Sequence, residues 1–138
     1  MRFFITLVFI VLLIGCSEQG QISEVHISKS LGFGMFNTEN SQIYSERETV
    51  ELFEKVISLA EKEPGIVNMA SPEFNMKMVY TDSESQGYYL WLGSEGKRST
   101  LMKIEETYTI YTIPENISKD LRELLMSSDI LVASEFKS

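Results

Sequence analysis

Three kinds of side chain in this sequence have the chemistry for a reactive site: one cysteine, one histidine and a surplus of carboxylates. Cys16 stands in "LLIGCSEQG", where an apolar run gives way to a polar one. Such a thiol can be a nucleophile, a metal ligand, half of an intermolecular disulfide, a buried residue or a handle for modification. A nucleophilic cysteine or serine needs a base beside it. His26, in "ISEVHIS", is the only histidine. A Ser–His26–acid arrangement is conceivable, but the sequence has no GxSxG elbow, and a lone histidine is more often a packing or surface residue. Zinc is poorly served, since one His and one Cys do not make a tetrahedral set. Carboxylates are abundant, but catalytic pairs of acids are defined in space and no two stand out here. Asp82 and Glu84 in "TDSESQG" could meet a hard cation, yet the spacing and glycine of a calcium loop are missing. That stretch reads as a solvated hairpin turn. No glycine-rich phosphate loop is present. The residues therefore single out no catalytic group, no metal site and no cofactor.

The surroundings of Cys16 are more informative. Arg2 supplies a positive start, "FFITLVFIVLLI" (Phe3–Ile14) is an uncharged run of 12 residues, and Gly15 is a small residue before the cysteine. This is the anatomy of a secretory signal. The run is short for a bilayer span, which needs about 20 residues, so a cleaved signal is expected rather than a permanent transmembrane helix. "LIGC", Leu13 to Cys16, resembles the lipobox of bacterial lipoproteins. The resemblance implies that a lipoprotein signal peptidase reads Leu13, Ile14 and Gly15 and cuts before Cys16. It also implies that the thiol carries a diacylglyceryl group. Stable anchoring takes two acyl chains rather than one, and a diacylglyceryl group supplies two. The expected organisation is a signal peptide over residues 1–15, a lipidated Cys16 and tether over 16–21, and one domain over 22–138.

Twelve basic and 20 acidic residues give a net charge of −8. Residues 1–15 hold Arg2 and no acid, so the remainder is more negative still. Binding nucleic acid requires Lys and Arg to neutralise phosphates, and this balance disfavours it. It also lends no polybasic attraction to anionic lipid. Apolar residues at 43% and charged residues at 23% are ordinary for a folded domain. A single cysteine makes no internal disulfide, so the fold must rest on core packing.

The hydrophobic periods place the elements. "ISEVHIS" alternates and reads as a strand, and "LGFGMFN" as a second, irregular strand or a bulged extension. "SERE" at Ser45 is a capping box, and Val50, Phe53, Val56, Ile57 and Ala60 form a helical stripe from about Glu46 to Lys62 before Pro64–Gly65. The period then changes to two. "FNMKMVYT", "YYLWLG", "STLMKI" and "YTIYTI" are joined by connections too short for parallel crossovers, so they form an antiparallel meander. Ile117, Leu121, Leu124 and Leu125 define a second helix, and "DILVASEFKS" fits helix, edge strand or frayed tail. The expected fold class is α+β: a four-stranded antiparallel meander plus one or two N-terminal strands, with two amphipathic helices packed on one face. Tyr88, Leu90, Leu92, Tyr111 and Ile113 should face the helices. Tyr89, Trp91, Tyr108 and Ile110 should face the other way. Those four are the candidate binding surface, unless the segment Ile22–Phe36 or the C-terminal "ILV" covers them.

"ERETV", "ASPEF", "YYLWLG" and "YTIP" running into "ISKDLRELL" resemble the YhfM-like lipoproteins of bacilli, over roughly Glu46 to Leu125. The resemblance implies a small α+β domain outside a Gram-positive-type membrane, and carries no catalytic residue. The expected role is a non-enzymatic binding or accessory protein of the cell envelope. It would be held to the membrane by the lipid on Cys16 and would engage an envelope protein or small ligand. The alternatives are a carboxylate-dependent hydrolase of cell-wall polymer and an inhibitor or immunity protein for a secreted hydrolase.

Overall fold

The computed structural model describes residues 21–37, 39–64 and 69–127. Leu13, Ile14, Gly15, Cys16 and the tail from residue 128 lie outside them. The element order is β1 (Ile22–Lys29), β2 (Gln42–Tyr44), α1 (Arg47–Leu59), β3 (Glu61–Pro64), β4 (Phe74–Tyr80), β5 (Ser85–Trp91), β6 (Ser99–Lys103), β7 (Glu106–Ile113) and α2 (Glu115–Met126). The α+β class and the two helices are as expected. The sheet is larger, with seven strands in the order β2-β1-β4-β5-β6-β7-β3, every pair antiparallel.

Both additional strands come from segments that local pattern misassigns. β2 has three residues, too few to show a period. β3 is "EKEP", which continues a charged helical pattern in the sequence. Its backbone pairs with β7 from Glu61 opposite Thr112 to Pro64 opposite Thr109, and this ladder takes the segment from the helix. The helix stops at Leu59, with Ala60 extended at φ −66°, ψ 132°, rather than running to Lys62. Charges and a proline suit an outer strand, because they discourage a further chain from pairing there. The helix also starts later than the capping box suggests. The N-cap is Glu46, with no side-chain cap bond, because pairing of Tyr44 with Val25 keeps the chain extended up to Ser45. The first intrahelical bond runs from the Val50 amide to the Glu46 carbonyl, 2.9 Å.

β2 and β3 lie at opposite ends of the sheet, six inter-strand spacings or roughly 29 Å apart. Thirteen helical residues supply roughly 20 Å of that span. Helix α1 must therefore cross the sheet steeply from one edge to the other, and α2 returns to the same layer. The core lies between them: Val50, Phe53 and Val56 of α1 and Ile117, Leu121 and Leu125 of α2 pack on strand residues such as Ile27, Met76, Leu90 and Leu101. Tyr88, Leu90, Leu92 and Ile113 face the helices as the alternation predicts, and Tyr111 packs against the same core. A register shift between Ile22 and Glu24 lets both Ile22 and Val25 turn inward on one strand.

Tyr80 and Tyr88 share this layer with their hydroxyls hydrogen-bonded to each other. Burial raises both phenols above the usual value of 10.0, Tyr88 strongly so, with Tyr80 and Tyr111 adding to the effect on Tyr88. The sign of the pH effect follows. Below about pH 10 these phenols are neutral in folded and unfolded chains alike, and their contribution to stability is complete. Above it, only the unfolded chain releases their protons, so stability is lost as pH climbs. Absorbance at 295 nm should show two phenols that ionise together with loss of the folded circular dichroism signal.

Candidate functional site

The sheet face away from the helices has its own apolar cluster. Tyr89, Trp91, Met102 and Ile110 are buried there, with Met69 and Ile104 packed beside them. Alternation along β5, β6 and β7 puts them on that side, since each neighbours a residue that faces the helices. Trp91 donates from Nε1 to the Ala70 carbonyl at 3.0 Å, which fixes the ring over the sheet.

What covers this cluster is the stretch "LGFGMF". It is not a strand. It leaves β1 at Lys29, loops over the face, and returns to β2. The ring of Phe33 sits edge-on to Tyr89, centroids 5.3 Å apart at 74°, and 5.8 Å from Trp91. The Gly34 amide donates to the Tyr89 hydroxyl at 2.8 Å. Asn37 clamps the returning end: its amide donates to Asn75 Oδ1 at 2.9 Å, its Nδ2 donates to the Lys29 carbonyl at 2.8 Å, and its carbonyl accepts from Ser28 Oγ. Gly32 and Gly34 have φ of +112° and +80°, a backbone region that residues with a Cβ enter only at a cost. The two glycines let the chain bend back so that Phe33, between them, packs onto the sheet while Leu31 and Met35 flank it. Leu31, Phe33 and Met35 remain 59%, 45% and 56% exposed.

The structure thus divides the four candidate surface residues. Tyr89, Trp91 and Ile110 come together, but as a floor under the loop rather than as exposed contacts. Tyr108, on the same side of β7, is 68% exposed at the strand's start. The N-terminal segment covers this face, and the C-terminal "ILV" lies outside the described residues. The exposed apolar residues of the loop were present in the sequence as large side chains alternating with glycine, a pattern that resembles a strand until the positive φ angles are known.

The other reactive groups are occupied locally. His26 Nε2 is 2.9 Å from Glu24 Oε1, and its cross-strand neighbours are Ile43 and Lys77, not a hydroxyl. Asp82 accepts from the Glu84 amide at 3.0 Å inside its own turn, where Ser83 has φ +71°. Glu73 of "ASPEF" accepts from the Leu92 amide at 3.1 Å and closes the end of β5. Among the described residues there is no group of three or more His, Cys, Asp or Glu side chains placed to hold a metal, and no helix long and apolar enough to cross a membrane.

No curated protein matches this chain. A crystal structure of a thioesterase-like protein from Clostridium sporogenes is similar, with a TM-score of 0.62 at 16% identity, covering 80% of this chain and 99% of that one. At that identity the likeness is one of fold alone. A model of the YhfM protein family matches residues 23–130, which takes in the nine elements described above except for Ile22 at the start of β1, and the chain belongs to the YhfM family.

Proposed function

We propose that the protein is a lipid-anchored, extracytoplasmic binding or accessory protein of the cell envelope. Its working surface is the sheet face opposite the helices. The observation that carries this reading is the loop Leu31–Phe36. It is held on a buried aromatic floor by Phe33 and by the Tyr89 hydroxyl, yet it presents Leu31, Phe33 and Met35 to the outside. Apolar side chains fixed in an exposed position are a hallmark of surfaces that meet a partner. Tyr89, Trp91 and Ile110 act by positioning that loop. The anchor rests on the lipobox-like "LIGC" and the apolar run before it. A diacylglyceryl group on Cys16 holds the domain at the membrane surface, with Ser17–Gln21 as its tether.

Metabolic labelling with radioactive palmitate tests the anchor. The full chain is expected to incorporate label and to be recovered with membranes. Cys16→Ala is expected to abolish incorporation and to leave an uncleaved precursor. Label retained by Cys16→Ala would end the lipoprotein reading.

A further inference from the structure

We propose that the loop Leu31–Phe36 docks onto the lipid bilayer that holds the anchor, so that the domain lies with its sheet face toward the membrane and its helices outward. This rests on the lipid-anchored reading and names what the working surface meets.

The first argument is reach. From Cys16 to β1 the tether has five residues, Ser17–Gln21, and spans at most about 18 Å when fully extended. β1 itself is eight residues long, roughly 26 Å. A domain tied this closely stays within contact distance of the bilayer surface.

The second argument is which face. The exposed sides of α1 and α2 carry Glu48, Glu51, Glu54, Glu115, Asp120 and Glu123 against Arg47, Lys55 and Lys119, an acidic balance that anionic headgroups repel. The loop is the opposite. From Lys29 to Asn37 there is no acid and Lys29 flanks it, while the sheet face beside the loop carries Lys77 together with Glu24, with Glu61 and Glu63 at the β3 edge. Leu31, Phe33 and Met35 project from it, and exposed Ile43 and Tyr108 lie on the same side. Apolar side chains flanked by lysine, with a tyrosine at the margin, suit the headgroup–acyl boundary. Three side chains would bind a vesicle weakly if the domain were free. Tethered by Cys16, the contact becomes intramolecular, and a weak contact suffices to hold one orientation. Lipidation also occupies the native thiol, which makes an introduced cysteine the only reactive one.

The test uses the full, processed chain in vesicles of equal parts phosphatidylethanolamine and phosphatidylglycerol. Met35→Cys on the loop and Glu51→Cys on α1 are each labelled with the environment-sensitive fluorophore NBD. Lipids with spin labels on their acyl chains serve as quenchers. The Met35 probe is expected to emit blue-shifted and to be strongly quenched, the Glu51 probe to remain water-like and unquenched. Adding Leu31→Ser and Phe33→Ser should return the Met35 probe to water-like emission. An unquenched, water-like Met35 probe overturns the proposal. A blue-shifted probe that lipid quenchers do not reach also overturns it, because protein, such as residues 128–138 or a partner, then covers the loop. Leu31→Cys repeats the measurement should Met35→Cys disturb folding, which Trp91 emission reports. Failure of the anchor is separately visible: an unlipidated Cys16 would itself take up the probe, and palmitate labelling would be unaffected by Cys16→Ala.

Discussion

Phe53→Ala is expected to destabilise the protein by about 3–5 kcal/mol, a large part of the stability of a domain of this size. Phe53 is fully buried at the middle of α1, between Val50 and Val56, and its ring lies 5.7 Å from that of Tyr44. Few residues attach α1 to the sheet. The helix crosses from one edge to the other, so its buried stripe touches the strands only where it passes over them. Removing the central side chain opens a cavity under the crossing, and neighbours on seven hydrogen-bonded strands cannot move in to fill it. The measurement is urea unfolding followed by Trp91 emission, which reports from the opposite face, and by far-ultraviolet circular dichroism. The midpoint should fall with an unchanged slope. Phe53→Leu, which keeps most of the volume, should cost about 1.5 kcal/mol or less. A loss below about 1 kcal/mol for the alanine variant would mean that α1 is not held as described.

The second large effect is expected at Arg122. Its side chain is buried on α2, and its guanidinium donates to the carbonyls of Leu92 and Lys97 at 3.2 and 3.1 Å, at the end of β5 and in the turn before β6. Ser118 and Ser99 extend the same join: the Ser99 amide donates to Ser118 Oγ, Ser118 Oγ donates to the Ile113 carbonyl, and Ser99 Oγ donates to that of Leu92. A buried charge bonded to carbonyls rather than to a carboxylate is costly to desolvate, and each bond it makes contributes roughly 1.5–3 kcal/mol. Arg122→Ala loses those bonds and the packing of the stem, and is expected to destabilise by about 3 kcal/mol. Arg122→Met keeps the stem volume. Leu92's carbonyl still accepts from Ser99 in that variant, which leaves Lys97's carbonyl as the group deprived of a partner. The loss for Met should therefore be smaller, by at least about 1 kcal/mol. Equal losses for Ala and Met would show that the hydrogen bonds alone matter and that the stem packs nothing. Amide exchange of the Gly93–Arg98 turn should quicken in both variants, since α2 holds that turn through Arg122.

For both predictions the elements themselves were legible in the chain. Phe53 and Leu121 stand on stripes of period 3.6, and Leu90 and Ile113 on runs of period two. One-sided burial imposes these periods whatever the partner. The side assigned to each strand residue follows from the same alternation, which is why Tyr88 and Leu90 were separable from Tyr89 and Trp91. Local pattern was blind where pairing between distant segments set the backbone. "EKEP" continues a helical charge pattern, but 50 residues later β7 offers it a ladder from Thr109 to Thr112. The ladder satisfies backbone groups that a frayed helix end would leave to water. The capping box at Ser45 yields for a similar reason, since β2 holds the chain extended up to it.

The loop Leu31–Phe36 shows the division most clearly. The sequence by itself determined that large apolar side chains alternate with glycine there, that no acid accompanies them, and that Tyr89, Trp91 and Ile110 turn away from the helices. Only the tertiary structure decided that these meet. Positive φ at Gly32 and Gly34 folds the loop back over the aromatic floor, and the bonds of Tyr89 and Asn37 fix it there. Alternation records which side of a strand a residue occupies, because the pleat is a local property. It holds no information on what lies against that side, because the contact of Phe33 with Tyr89 joins residues 56 positions apart in the chain, and the chain closes that distance only when the whole sheet has formed.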